Sequence, residues 1–267
     1  KKVSLKPKVN VEDGGRKRVE SLTAKHCELN MLNRDSLKIL KDFDIIINCT
    51  GQITKPFNLC YQLNTLGSNN LAKTLKHTSK KIIHISSMSV YGSLEKCNES
   101  SKINPETNYA FAKAVSDFIL QENIQSNNLT ILRLTNLYGP NQIKGVIAYI
   151  LRSYLSDKKL LFNNNGSLFR FYLHVDDCAK LINDFINLNI PSNIYNIKGP
   201  DSYELKELIK KFEVKFKTSF YKEFPDISPV ENIYKIEDAK LNKFYKFSTE
   251  FDLFQYFENQ INLKYHA

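Results

Sequence analysis

Short apolar runs alternate along this chain with segments whose apolar residues recur at helical spacing. The strand-like runs are residues 3–6, 26–29, 44–49, 81–85, 129–134 and 193–197. The helix-like segments are residues 34–41, 64–77, 109–121, 146–155, 176–188, 203–212, 238–245 and 251–262. Residues 44–49 (DIIINC) and 81–85 (KIIHI) are almost continuously apolar, which is typical of parallel strands covered on both faces. The alternation therefore predicts a parallel α/β sheet.

Composition and charge narrow the function classes without choosing one. Apolar residues make up 42% of the 267 positions, yet no apolar run approaches the roughly 20 residues that cross a bilayer. The first residues also lack the apolar stretch of a secretory signal, so we expect a cytoplasmic protein with no membrane partner. The net charge of +10 fits either a solvated lysine-rich surface or anionic small ligands. No zinc-finger pattern or RNA-binding signature accompanies it, so no nucleic-acid partner is expected.

The five cysteines lie apart from one another and form no CxxC pair. They are Cys27, Cys49, Cys60, Cys97 and Cys178. An odd, scattered set argues against both a disulfide framework and a zinc site, so the sequence predicts no metal. We expect these residues to be thiols in a reducing compartment.

Two motifs follow predicted strands and could carry acid–base chemistry. SSMSVYG (86–92) follows the strand at 81–85, while Tyr109 and Lys113 lie four apart on a predicted helix and hence on one face. A free tyrosine has a pKa of about 10, which a nearby ammonium and a helix N-terminus should lower. A serine hydroxyl could then hold the oxygen that exchanges its proton. Taken alone, the YxxxK spacing also fits an ordinary surface helix.

Four motifs in this order resemble a known enzyme family. They are SSMSVYG (86–92), NPETNYAFAK (104–113), LRLTNLYGP (132–140) and RFYLHVDDCAKLI (170–182). Their order and spacing resemble those of the extended short-chain dehydrogenases/reductases, the NAD-dependent epimerase/dehydratase family. The similarity extends over about residues 3–263.

The resemblance implies a fold, a cofactor and a substrate class. The fold would be a Rossmann-like doubly wound parallel sheet in residues 1–142 with a smaller substrate lobe in residues 143–267. Residues 174–198 would return to the sheet. The cofactor would be NAD or NADP, and the substrate a nucleotide-diphosphate sugar. A homodimer is expected only because members of the family commonly form one.

The resemblance also implies roles for the residues that match the family's motifs. The catalytic residues would be Ser87, Tyr109 and Lys113, with Lys113 lowering the pKa of Tyr109. Cofactor contacts are expected at Lys6, Asn30, Met31, Cys49, Thr50, Gly51, Asn64, Tyr109, Lys113 and Thr135. Substrate contacts are expected at Ser87, Ser89, Tyr109, Asn136 and Arg170. The Arg170 guanidinium suits the geometry of a diphosphate.

Ordinary structural interpretations stay open for several of these residues. Asn64 could cap its helix, Asn136 could occupy a turn, and Arg170 could be a surface charge. His84, on the strand at 81–85, is expected to be a hydrogen-bonded core residue rather than a catalyst.

The chain departs from the family at three places. The family's first strand and GxxGxxG phosphate loop have no match, and the Gly-Gly pair at 14–15 is a poor substitute, so we expect that strand and loop to be missing. Lys6 and Lys8 replace the acidic residue that binds a ribose hydroxyl, which makes NADP plausible. Met88 and Ser89 replace the Asp-Glu pair of sugar 4,6-dehydratases, so elimination of water from the sugar is not expected.

These observations predict an NAD(P)-dependent epimerase or 4-ketoreductase that transfers a hydride at a sugar carbon, with C4 as the expected position. Both reactions need the same three groups, so the motifs do not separate them. A non-catalytic dinucleotide sensor or scaffold on the same fold stays open as the alternative. The intact Ser87, Tyr109 and Lys113 argue against it.

Overall fold

The computed structural model describes residues 2–7, 25–51 and 55–265. Its strands are β1 (Lys2–Pro7), β2 (Lys25–Leu29), β3 (Ile45–Asn48), β4 (Lys81–Ser87), β5 (Leu94–Cys97), β6 (Leu129–Leu134), β7 (Asn136–Tyr138), β8 (Lys159–Leu161), β9 (Phe169–His174), β10 (Ile194–Ile197), β11 (Asp201–Glu204), β12 (Tyr221–Glu223) and β13 (Ile233–Ile236). Its α-helices are α1 (Phe57–Gln62), α2 (Ser68–Leu75), α3 (Asn108–Asn123), α4 (Val146–Tyr154), α5 (Val175–Asn187), α6 (Leu205–Lys215), α7 (Ala239–Asn242) and α8 (Leu253–Tyr265). Other helical turns are the 3-10 segments Arg34–Asp42, Met88–Tyr91 and Ser126–Asn128 and the π-helix Leu63–Gly67.

The main sheet is parallel, and its strand order is β10-β6-β4-β3-β1-β2. Chain order runs outward in both directions from the boundary between β1 and β3, so this boundary is the topological switch point. Doubly wound sheets bind ligands there, outside the carboxyl ends of the strands. The predicted Rossmann-like fold is confirmed.

Lys6 lies in β1, whereas Lys8 and the Gly-Gly pair at 14–15 lie outside the described residues. The division of the chain at residue 142 stays a prediction.

The central strands are apolar because helices cover both faces of the sheet. Alternate residues of β3, β4 and β6 enter two different buried clusters, in keeping with the two-residue period of a strand. One cluster contains Ile46, Ile82 and Ile131, and the other contains Ile47, Ile83 and Leu132. Leu71 of α2 and Leu120 of α3 belong to the first, and Leu181 of α5 belongs to the second. This double coverage accounts for the continuous apolar runs in the sequence.

The helix predicted at 64–77 begins earlier, at α1, and is helical through residues 57–75. A π-helical turn joins α1 to α2, and such turns are frequent at functional sites. It places Asn64 and Gly67 on the buried side. A side chain at Gly67 would begin 3.2 Å from the Cβ of Met31, so this position leaves little room for one.

Elements in the C-terminal half differ more from the prediction. The helix predicted at 203–212 is α6, and it begins two residues later because residues 201–204 pair with β9 as a strand. Residues 216–236, for which no element was predicted, contain β12 and β13. Of the helix predicted at 238–245, only the four residues of α7 are helical. Within the described ranges, no helix is long and apolar enough to cross a bilayer.

Candidate active site

An open cleft lies where β4 and β6 end and where β9 and β13 face them. Its walls are formed by Ser87, Met88, Ser89, Leu134, Thr135, Asn136, Phe169, Arg170, Phe171, Glu231, Ile233 and Ile236. The empty space between them is about 440 Å³, part of it open to solvent. The structure thus brings Ser87, Ser89, Thr135, Asn136 and Arg170 together. Neither catalytic residue predicted on α3 is among the lining residues.

Ser87 ends β4 and caps the 3-10 turn that follows it. Its Oγ accepts hydrogen bonds from the Ser89 N–H at 3.2 Å and from the Ser89 hydroxyl at 2.9 Å. A serine hydroxyl has two acceptor positions and one hydrogen to donate. With both acceptor positions used by Ser89, the hydrogen of Ser87 is left to donate to an oxygen in the cleft.

Tyr109 is the second residue of α3, whose N-terminus is capped by Thr107. The Thr107 Oγ1 accepts a 3.1 Å hydrogen bond from a backbone N–H of the first turn. The Tyr109 side chain is half-buried. Burial raises the pKa of its phenol well above the usual value, and the Cys60 thiol and the carboxylates of Glu231 and Asp117 add to the rise. The phenol therefore keeps its proton at neutral pH.

The Lys113 side chain reaches the main sheet. Its side chain is fully buried, and Nζ donates to the backbone oxygen of Ile85 at 2.7 Å. Burial lowers the pKa of Lys113 to about 8, although the charge of Asp117 opposes the fall. In this arrangement the Lys113 ammonium is bonded to Ile85 and the pKa of Tyr109 is raised, so the expectation that Lys113 lowers the pKa of Tyr109 stays a prediction. Spacing of four residues puts both side chains on one helix face, but the long lysine reaches β4 instead.

We expect Lys113→Met to stabilise the fold while it impairs turnover. The fall of the Lys113 pKa from 10.5 to about 8 corresponds to about 3 kcal/mol of unfavourable burial at pH 7, and the lost hydrogen bond to Ile85 offsets about 1 kcal/mol of it. The net gain, about 2 kcal/mol, should be complete below the folded-state pKa and should vanish as the pH rises toward 10.5. Urea unfolding at pH 7 and near pH 10.5 measures this difference in the free energy of unfolding. Lys102→Met, on the exposed surface, is the control. A variant less stable than wild type at pH 7 would contradict this account.

The turn after β3 is held by Asn64. Gly51 has a φ of +73°, a conformation that favours glycine, and a Cβ there would lie 2.4 Å from the Asn64 Oδ1. The Asn64 Nδ2 donates to the backbone oxygens of Gly51 at 3.0 Å and Cys60 at 2.9 Å. Asn64 therefore fixes the turn from within the helical run and does not cap a helix. Only its Oδ1 is left for the predicted cofactor contact, which stays a prediction.

Cys49 and Thr50 precede this glycine at the switch point. The Thr50 N–H and hydroxyl both donate to the Asn48 Oδ1, at 3.1 and 2.6 Å. Cys49 is half-buried against the apolar cluster around Ile47. Side chains thus hold the chain in place where β3 ends.

The residues predicted to contact adenine do not share one environment. Asn30 is exposed directly after β2, and its Oδ1 accepts from the Leu32 N–H at 3.0 Å. Met31 is 1% exposed and packs in the core, while its backbone oxygen accepts from Asn70 at 3.0 Å. The Met31 side chain is packed in the core, and its predicted cofactor contact stays a prediction. Thr135, half-buried at the end of β6, accepts from the Gly199 N–H at 3.1 Å.

Arg170 binds the protein's own backbone at the wall of the cleft. Its Nη1 donates to the backbone oxygens of Phe169 and Glu231, both at 2.9 Å, and its Nη2 donates to that of Val230 at 3.1 Å. Arg170 is thus not an ordinary surface charge. A diphosphate would have to displace these carbonyls, so that role stays a prediction.

Asn136 is exposed and lies 3.5 Å from the Phe171 oxygen, the limit of a hydrogen bond.

A buried polar network lies behind the cleft and supports α3. His84 lies 3.0 Å from the Asn48 amide and 3.2 Å from the Ser116 hydroxyl, and its Nε2 is 3.5 Å from Asp117. Asp117 also accepts from the Arg133 Nε at 3.1 Å. Burial, with the charge of Lys113, lowers the pKa of His84 to about 4, so its imidazole is neutral at pH 7. His84 is the hydrogen-bonded core residue that the sequence predicts.

Sequence reasoning missed the one carboxyl group among the residues that line the cleft, Glu231. It lies in the segment 216–236, where neither periodicity nor a motif marked it. Its backbone is left-handed, with a φ of +60°. A glutamate in the sequence gives no indication of this conformation, which is uncommon for non-glycine residues. Elsewhere in the described residues, no three His, Cys, Asp or Glu side chains form a group that could hold a metal ion.

Comparison with known proteins decides the family. The model of the NAD dependent epimerase/dehydratase family matches residues 5–197. The chain belongs to this family. A trifunctional UDP-glucose 4,6-dehydratase/UDP-4-keto-6-deoxy-D-glucose 3,5-epimerase/UDP-4-keto-L-rhamnose-reductase of Arabidopsis thaliana is 27% identical over 177 residues, which are 60% of this chain. The chain spans 26% of that relative's length.

Solved structures resemble this family member over nearly its whole length. The UDP-glucuronic acid 4-epimerase of Bacillus cereus, in complex with UDP-glucuronic acid and NAD, gives a TM-score of 0.79 at 22% identity. The match covers 95% of this chain and 86% of that one. RMD from Pseudomonas aeruginosa, complexed with NADPH, gives 0.78 at 19% identity over 96% and 94% of the two chains. At such identities the likeness shows the fold alone.

Proposed function

We propose that this family member is an NAD(P)-dependent nucleotide-sugar epimerase or 4-ketoreductase that moves a hydride at C4 of the sugar. One observation carries the proposal: Ser87, Ser89, Thr135 and Arg170 line a single cleft at the carboxyl end of the sheet. Tyr109 begins its helix close enough to the cleft for the Glu231 charge to affect its pKa. The curated relative and the Bacillus cereus enzyme are named for reactions of nucleotide sugars, which supports the substrate class.

The residues at the switch point fit a dinucleotide. Gly51 offers a backbone without a Cβ at the end of β3. Ser86, buried at the end of β4, has a hydroxyl without a hydrogen-bond partner among the described residues. We assign Thr50, Gly51 and Thr135 to the nicotinamide half and Asn30 to the adenine. When bound, NAD or NADP supplies the hydride acceptor and donor. Two related structures contain NAD or NADPH, which supports either form.

Tyr109 and Ser87 divide the proton chemistry between them. The phenol, protonated at neutral pH, donates to the sugar oxygen when a ketone is reduced. Ser87 donates its remaining hydrogen to the same oxygen and fixes its position. In the oxidative direction Tyr109 must accept a proton, which requires a lower pKa than burial gives it. A turn of the Lys113 ammonium from the Ile85 oxygen toward the phenol would lower that pKa.

Elimination of water is not part of the proposal. Met88 and Ser89 form the cleft wall where sugar 4,6-dehydratases have two acidic residues. Among the described residues that line the cleft, Glu231 is the one carboxyl group. Epimerisation and reduction need no such pair, because each consists of proton and hydride transfer at one carbon.

A panel of UDP- and dTDP-sugars tests the proposed function. Each sugar is incubated with the chain and with NAD, NADH, NADP or NADPH, and both isomerisation of the sugar and oxidation of the cofactor are measured. We expect one class of sugar to be isomerised or reduced. If the chain binds NAD(P) but turns over none of the panel, the sensor alternative replaces the enzyme.

We propose a homodimer that forms through the outer face of α1 and α3. Four aromatic side chains there are 42–63% exposed: Phe57, Tyr61, Phe111 and Phe118. The two helices pack against each other, and Phe111 and Phe118, seven residues apart, share one face of α3. An exposed apolar patch of this kind marks an interaction surface, and a second copy presents the same patch.

Phe118→Lys should convert this dimer to a monomer. In a two-fold dimer both subunits contribute the same patch to the interface. The substitution therefore buries two lysine charges there, one from each subunit. Light scattering coupled to gel filtration measures the mass of each form. Phe244→Lys, which alters an aromatic residue that is 54% exposed outside α1 and α3, should stay dimeric. A monomeric wild type, or a dimer that Phe118→Lys leaves intact, would overturn the proposal.

A further inference from the structure

Glu231 is fixed at the edge of the cleft by hydrogen bonds to two parts of the fold, the segment 106–107 before α3 and Arg170 of β9. Its N–H donates to Glu106 at 2.5 Å, and its backbone oxygen accepts from Arg170 at 2.9 Å. Its Oε1 accepts from the Thr107 hydroxyl at 2.5 Å. A non-glycine residue at a φ of +60° persists only where its surroundings hold it, and such residues concentrate at functional sites. The loop therefore presents this carboxyl group in one position.

The carboxyl group faces the space that a sugar would occupy. Glu231 shares the cleft wall with Ser87, Ser89 and Asn136. Thr107 binds Oε1, and the described residues supply no partner to Oε2. A carboxylate oxygen accepts from hydroxyl groups, so Oε2 can bind the hydroxyls of a sugar ring. Thr107, whose hydroxyl binds Oε1, caps α3 two residues before Tyr109, so the carboxyl group lies near the proposed acid.

Two carboxyl groups and one guanidinium surround this end of the cleft; burial and Glu106 raise the pKa of Glu231, and Thr107 and the charge of Arg170 oppose the rise. Glu106 adds a second carboxylate beside the Glu231 backbone. The Arg170 guanidinium is directed at backbone oxygens, and a diphosphate that displaced them would take up its positive charge. A ligand whose diphosphate reached Arg170 would therefore meet uncompensated negative charge at its sugar end.

We infer that Glu231 determines substrate specificity: it accepts hydrogen bonds from an uncharged sugar ring and repels a ring that carries a carboxylate. The inference rests on the proposed function, since it concerns the sugar end of the same cleft. Two like charges about 5 Å apart at a protein surface repel strongly enough to change an affinity by about 100-fold. The substrate class is thus narrowed to nucleotide sugars without an acidic group on the ring.

Binding of UDP-glucose and UDP-glucuronic acid tests this inference, because the two differ only in the carboxylate at C6. Titration calorimetry of the full chain with NAD present should show about 100-fold tighter binding of UDP-glucose. Glu231→Gln keeps the side-chain shape and the acceptor for Thr107, and it should reduce the preference to less than about fivefold. Glu237→Gln removes a surface carboxylate that pairs with Lys96 outside the cleft, and it should keep the wild-type ratio.

The outcomes separate this inference from the proposed function. If wild type binds both compounds equally, or if Glu231→Gln leaves the ratio unchanged, the specificity role is overturned and the proposed function stands. If wild type binds neither these compounds nor the matching dTDP-sugars, the proposed substrate class fails and the inference fails with it.

Discussion

Tyr109→Phe should turn over the substrate about 10²–10⁴ times more slowly than wild type, the usual contribution of a general acid or base. The phenol keeps its proton because burial raises its pKa, and phenylalanine fills the same space without a proton to give. Because only one hydroxyl is removed, the free energy of unfolding should change by less than about 1.5 kcal/mol. Initial rates and urea unfolding measure the two effects separately.

Tyr138→Phe is the matched control for this substitution. The Tyr138 hydroxyl is buried without a hydrogen-bond partner in the described part of the chain, and Tyr138 is not among the residues that line the cleft. Its removal should leave the rate unchanged. Full activity of Tyr109→Phe would show that another group handles the proton.

Asp117→Asn should lower the free energy of unfolding by about 3–5 kcal/mol, the effect of removing one partner from a buried ion pair. Asp117 is 2% exposed and accepts from Arg133 at 3.1 Å. An asparagine cannot compensate the guanidinium, which burial separates from water. His84 lies 3.5 Å from the same carboxylate but would keep its contacts with Asn48 and Ser116.

The pH dependence of stability provides a second readout of this pair. Burial pushes the pKa of Asp117 upward, but His84 and the charge of Arg133 outweigh it and hold that pKa below 3.8. A carboxyl group with a lowered pKa stabilises the fold above its unfolded-state pKa, and this stabilisation is lost as the pH falls through the lowered value. The acid-induced loss of stability should therefore be smaller in Asp117→Asn than in wild type.

Glu122→Gln serves as the control for Asp117→Asn. Glu122 lies on the same helix but is exposed, so its loss should change the free energy of unfolding by less than about 0.5 kcal/mol. Equal effects of the two substitutions would show that the buried network does not stabilise the fold.

The sequence predicts the central sheet well because its strands are buried on both faces. Residues 44–49 and 81–85 form long apolar runs that admit few alternatives. Strands β7, β11 and β13 have three or four residues each, too few to show a period of two. Each of them pairs through its backbone with a strand that is distant in the sequence. Local sequence patterns do not predict such pairing. The part of the cleft wall that β7 and β13 form was therefore not predicted from the sequence.

For the site, motifs identify residues but not the direction of long side chains. Ser87 and Arg170 line the cleft, as their motifs suggest. The four-residue spacing placed Lys113 on the face of Tyr109, yet the carbonyl of Ile85 determines where its ammonium lies. Glu231 reaches the cleft through a left-handed residue in a loop. Such geometry depends on tertiary contacts, so a single sequence does not show it.

Sugars labelled at C4 test the central claim most directly. UDP-[4-²H]glucose and dTDP-[4-²H]glucose are incubated with the chain and NAD or NADP, and the deuterium is located by NMR and mass spectrometry. Hydride transfer at C4 predicts that the deuterium appears in the reduced cofactor, or at C4 of a product with the opposite configuration. Deuterium that moves to another ring carbon, or that stays at an unchanged C4 while the cofactor is bound, would contradict the account.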